Sequence, residues 1–272
     1  MTLSGVASAS DFFDSTLTIQ GKTLDLGEAG RTSDYAVFTT NGTFSASTSV
    51  ANEIDVEGNV GVNGLGLTLS SSVIHGNATL QTGGTFNVPN ASQITGTRNQ
   101  GSAFNTKLNN GTSASTLFSS NAAALTATTN FTASSSISGG SVILNNSSLS
   151  ITASDSQPVV LKLSDFVLNG GNFTLVGTAM SKFIIDVSGN FNLSNASQIN
   201  LSGGLLAGNV VFNVTGGTTV GLSGASRLDG ILLAANRTVT LTGAATINGE
   251  LIGKSVALSG GSKVKKPTHP SP

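Results

Sequence analysis

The sequence predicts an all-β fold, a right-handed parallel β-helix with one short helix packed alongside. Three observations carry that reading: a repeat of about 17 to 20 residues, alternation of period two inside each repeat, and Gly, Asn and Ser turns between the alternating runs. Leu222-Ser-Gly-Ala-Ser-Arg-Leu-Asp-Gly230 recurs as Leu241-Thr-Gly-Ala-Ala-Thr-Ile-Asn-Gly249, and a shorter copy follows at Leu258-Ser-Gly-Gly-Ser-Lys-Val264. Asn90-Ala-Ser-Gln-Ile94 returns as Asn195-Ala-Ser-Gln-Ile199, and Val56-Glu-Gly-Asn-Val60 as Ile74-His-Gly-Asn-Ala78.

Within a unit the pattern is that of half-buried strands. In Thr238-Val-Thr-Leu-Thr242 the Val and Leu share one face and three Thr the other. Phe173/Leu175, Phe183/Ile185/Val187 and Phe191/Leu193 alternate likewise. Asn-Gly, Gly-Gly and Ser-Gly pairs supply turns of positive φ. Three such strands per coil, stacked at about 4.8 Å, bury their inward side chains only against the coils above and below. An antiparallel sandwich would want longer strands and more aromatic residues.

Composition agrees. Hydrophobic residues are 38% of 272, enough for a core, while only 9% are charged and the net charge is −1. Short hydroxyl and amide side chains must therefore cover the surface. Without a basic face the chain is no nucleic-acid binder. With no Cys it has neither disulfides nor thiolate metal sites, and no apolar run reaches the roughly 20 residues of a membrane span. Met1-Thr-Leu-Ser4 lacks a basic leader, which fits a mature exported chain or export by another route.

Residues 1–266 are expected to form one β-helix domain, interrupted at about 99–129, where alternation gives way to Ala, Ser and Leu. There a weak helix over about Ser113–Ala127 would turn Leu108, Leu117, Phe118 and Leu125 inward. The Pro-rich tail 267–272 reads as a linker leading out.

Ser33-Asp-Tyr-Ala-Val-Phe38 and Ile54-Asp-Val-Glu-Gly-Asn-Val-Gly-Val-Asn-Gly64 are similar to the opening of bacterial choice-of-anchor A domains. Val159–Asp165, Phe183–Gly189, Asn209–Val214, Leu228–Asn236 and Ile247–Ser255 then follow in that family's order, over about Gly30 to Val264. The resemblance implies an ice-binding-protein-like β-helix exported by a bacterium, secreted or at its cell surface, in a structural or adhesive role without catalysis or cofactor. It departs at the C-terminus, where no sorting motif or membrane helix precedes Pro272.

The candidate residues admit three functions. Glu53, Asp55 and Glu57 share a strand face and could hold Ca²⁺, against a plainer reading as a solvated acidic edge. Asp155, Asp165, Asp186, Asp229 and Glu250 are scattered, with Asp186 expected outward, and His75 and His269 have no partners in sequence, so a polysaccharide-active enzyme is the weakest reading. Thr219, Ser223, Thr238, Thr240, Thr242, Ser255 and Ser259 are the outward positions of three successive coils. All are small, so they should form a flat face able to meet ice, a surface glycan or another protein; an ice-binding protein is the first alternative to the structural domain. Lys254, Lys263, Lys265 and Lys266 read as charges that block end-to-end stacking at a β-helix terminus.

Overall fold

The computed structural model describes residues 12, 16–26, 34–49, 53–135, 137, 140–155, 157–218 and 220–266. The Pro-rich tail, His269, Thr219 and residues 1–11 lie outside them. The described residues form a parallel β-helix of three faces, with short strands pairing in register from coil to coil. One face stacks nine strands in the order Val142–Asn145, Phe166–Asn169, Phe191–Ser194, Val220–Leu222, 238–241, 255–259, Phe44–Ser47, Gly66–Ser70 and Thr85–Asn87.

That order is not the order of the chain. Val37–Thr39 starts in the middle, on 251–253. The chain then winds to one end at Arg98–Gln100, returns along the outside as helix α1 (Ser102–Ala123), and winds back from the other end until Lys263–Lys265 meets Ile54–Glu57. The coils expected to be terminal are therefore fourth to sixth of nine, and the lysines expected to cap an open end sit at an internal seam. Seam pairing satisfies the strand groups that a free end would leave open.

The return trip explains the helix. Eight coil spacings are about 38 Å, and 22 helical residues span about 33 Å. A helix confined to Ser113–Ala127 could not make that distance. Its own propensity is poor, so packing holds it: Leu108, Gly111, Ser115, Phe118, Ser119 and Ala122 form one buried stripe. Gly111 is required by close approach, since a Cβ there would lie 2.8 Å from Phe38 Cζ. Leu117, expected inward, is 58% exposed because it falls off that stripe.

The stripe covers a second layer of apolar residues on the outside of one face, among them Phe38, Val160, Ile184, Val211, Ile231, Leu233 and Ile252. The β-helix thus has an interior core and a separate core beneath α1. Asp186 points outward from its strand, as expected, yet is buried, because the outside of this face is roofed. Its carboxylate meets Lys162 Nζ at 2.5 Å and accepts from Asn213 Nδ2 at 2.6 Å. Lys162 Nζ also donates to Ala123 O, and Asn213 Nδ2 to Ser119 O. With no basic residue in the last turn of α1, Lys162 supplies the cation that its C-terminus favours.

Tyr35 lies in the same roofed layer, 5.4 Å from the Phe38 ring, with the Lys107–Asp34 ion pair at its rim. Burial raises its phenol to about 12, against a hydrogen bond with Thr79 that lowers it, and the nearby Asp34 charge raises it further. The unfolded phenol titrates near 10, so the folded state holds the proton longer. Stability from this group is complete below pH 10 and falls as pH rises toward 12, by roughly 3 kcal/mol in all. We expect urea midpoints to drop between pH 9.5 and 12 more in the wild type than in Tyr35→Phe. Parallel profiles would refute this.

A paved face and a charged face

The corners between faces recur as the sequence repeats. Asn195-Ala196, Gly224-Ala225, Gly243-Ala244 and Gly260-Gly261 all take positive φ, from 55° to 74°. The amide of each Ala donates to the carbonyl of the first turn residue one coil on, at 2.6, 2.6 and 2.5 Å. Ser197, Ser226 and Ser262 follow three of these turns, fully buried, and return a hydroxyl to the carbonyl three residues back, while buried Ala245 follows the Gly243-Ala244 turn. Gly is favoured here because a left-handed backbone costs an L-residue with a Cβ about 1 to 2 kcal/mol.

One side of these corners is paved with short side chains. Thr238, Thr240 and Thr242 are exposed, and Ser255, Ala257 and Ser259 lie beside them in register. Ser223 lies one coil to the other side, where the middle position is Gly221. Thr219, the remaining expected member, falls outside the described residues. The paving then crosses the seam. Phe44–Ser47 pairs with 256–259, which sets Thr43, Ser45 and Ser47 next in line, then Gly66, Thr68 and Ser70, then Thr85 and Asn87. Thr43 N donates to Ser255 Oγ across the join. These seven N-terminal hydroxyl and amide residues were missed in sequence because about 200 residues separate them from their neighbours. The alternation in Phe44-Ser-Ala-Ser47 and Leu67-Thr-Leu-Ser70 was the available signal.

From Asn190 to Asn87 no outward described position on this face bears a charge or a side chain larger than Asn. The grid repeats at about 4.8 Å between coils and about 6.7 Å along each strand. Thr and Ser alternate methyl or methylene with hydroxyl, so the surface holds water through regularly placed groups while no ion imposes a hydration shell of its own.

The third face is different. Arg227 chelates Asp229 through Nε and Nη2 at 2.8 and 2.5 Å, and Asn248 donates to the same carboxylate. Lys263 stacks on Asp55, and Lys265 on Glu57. Lys265 bonds Glu57, whose hydrogen bond and charge hold that ammonium above the ordinary lysine range. His75 approaches Asp55 at 3.4 Å, and Glu53 accepts from Thr48 Oγ1. The expected acidic edge is thus no edge: Asp55 and Glu57 sit mid-stack among basic residues. Among the described residues no three His, Asp or Glu side chains group in a way that could hold a metal ion.

The described β-helix thus has one face roofed by α1, one laced with ion pairs and one paved with small side chains. The chain matches, over residues 9–264, the family described as "Putative Ice-binding-like adhesive domain", and it belongs to that family. A curated ice-binding protein from Colwellia sp. is 29% identical over 113 residues, 42% of this chain, so the match spans less than half (44%) of that relative's length. Solved structures share the fold. An ice-binding protein from the Antarctic ascomycete Antarctomyces psychrotrophicus aligns with TM-score 0.59 at 20% identity, over 87% of this chain and 96% of that one. One from an Antarctic biological consortium gives 0.60 at 17%, over 93% and 96%. A Shewanella frigidimarina ice-binding protein domain gives 0.58 at 17%, over 89% and 97%.

These findings overturn the expectation of a structural or adhesive surface domain, since the family and the named relatives point to its alternative, ice binding. The expectation that the chain is not an enzyme agrees with its family and its curated relative.

Proposed function

We propose that this protein binds ice through the paved face, with Thr238, Thr240 and Thr242 at its centre and Ser223, Ser255, Ser259, Thr43, Ser45, Thr68 and Ser70 around them. The observation that carries the reading is the uncharged, small-residue grid that continues across the seam from Asn190 to Asn87. Ice presents no ion or pocket-filling group to recognise, so extended flat registry is what an ice binder needs. The other two faces offer none: one is roofed by α1, and the other carries Arg227, Asp229, Lys263, Lys265 and Glu57.

The likeness to choice-of-anchor A domains supports a bacterial, exported setting, secreted or at the cell surface, where ice would be met. Residues 1–266 then act as one domain. Among the described residues no helix is long and apolar enough to cross a membrane. The test is thermal hysteresis and inhibition of ice recrystallisation by the purified protein. Wild type is expected to be active, and Thr240→Tyr to lose most of that activity while its melting temperature holds. An inactive wild type sinks the proposal.

A further inference from the structure

At the rim of the paved face, where the chain turns in from the roofed face, Arg237 and Lys254 line one groove of about 360 Å³. Gly217, Thr218, Val220, Asn236 and Thr238 complete its lining, which among the described residues contains no carboxylate. Among the described residues neither cation has an acidic partner. Two like charges gathered on a chain of only twelve basic residues are unfavourable unless something negative joins them. Arg237 also carries an orphan. Its Nη2 donates to Thr215 O at 3.0 Å, which fixes the guanidinium plane, but its Nε is buried with no acceptor. Buried donors are satisfied in nearly all folded chains, and an unmet one marks a missing water or ion.

We propose that this groove binds a small oxyanion, with Arg237 Nε donating to one oxygen and Lys254 providing the second positive charge. A guanidinium held by one edge presents its remaining donors in a fixed fork that suits sulfate, phosphate or carboxylate, whereas lysine acts as a mobile point charge. The site stands whether or not the neighbouring face binds ice.

Sodium sulfate and sodium acetate are titrated separately into the wild-type protein at constant ionic strength, held with sodium chloride. The Arg237 Nε–H and Lys254 amide resonances are followed by NMR. The expected result is a saturable shift of both signals. Arg237→Lys keeps the charge but lacks Nε, and Lys254→Gln keeps the length but not the charge. Each is expected to weaken binding about tenfold with the melting temperature retained. Tighter binding of sulfate assigns a tetrahedral ligand; tighter binding of acetate assigns a carboxylate. A linear response overturns the proposal and leaves a water on Nε. A saturable response that both variants share unchanged also overturns it and means an adventitious ion only.

Discussion

Thr68→Tyr is expected to remove as much ice activity as Thr240→Tyr, although the two positions lie in opposite halves of the sequence. Thr240, Ala257, Ser45 and Thr68 occupy the same outward rank in four successive coils. They span three coil spacings, about 14 Å. A tyrosine at either site would stand above a plane made of Thr, Ser, Ala and Gly and hold a flat solid away from the residues around it. Because Thr68 is exposed and its neighbours are small, the substitution fits the strand, and stability should change by less than about 0.5 kcal/mol. Thermal hysteresis measured beside thermal melting separates a lost surface from a lost fold. Gln198→Tyr, on the outward side of another face, serves as the control and should keep wild-type activity. If Thr68→Tyr stays fully active while Thr240→Tyr does not, the ice face ends at the seam and the N-terminal strands are scaffold.

How much of this was legible in sequence depends on the range of the interaction. Alternation at Thr238–Thr242 and at Phe183–Val187 specifies strands locally, because a strand's two faces are set by adjacent residues. The recurring Leu-Ser-Gly-Ala-Ser and Asn-Ala-Ser-Gln units marked the corners, since a left-handed turn selects its residues on the spot. Coil order was not legible. Nothing in Val256-Ala-Leu-Ser259 states that Phe44-Ser-Ala-Ser47 will be its neighbour, since one parallel strand with small outward and apolar inward residues resembles another. What selects the pairing is the closure of both chain halves on one axis, with Lys263 against Asp55 and Lys265 against Glu57 as complementary charges in register. The lysines are visible in sequence, but their partners lie 208 residues away, so sequence alone places them at an open end. The same limit applied to Asp186: alternation established that it points outward, but only the path of α1 decides that outward means buried.

Asp186→Ala is expected to destabilise the fold by about 3 kcal/mol, far more than its place on an alternating strand would suggest. Its side chain is 5% exposed, and it is the single acceptor shared by Lys162 and Asn213. Truncation leaves both donors facing a void. Asn213 keeps Ser119 O and Lys162 keeps Ala123 O, but the lysine loses its counter-charge in a site only 30% open to water. Breaking a buried pair in this way costs more than the pair contributes over an apolar replacement, because an unmatched charge remains. The loss should concentrate where α1 ends, so hydrogen exchange at Ser119–Ala123 should quicken more than in the strands of the inner core. Asp186→Asn, which retains an acceptor for Asn213 but not the charge for Lys162, should fall between wild type and the alanine variant. Equal urea midpoints for all three would mean that α1 is held by its apolar stripe alone. In that case Leu108 and Phe118 would carry the attachment, and the polar cluster would serve only to place the end of the helix.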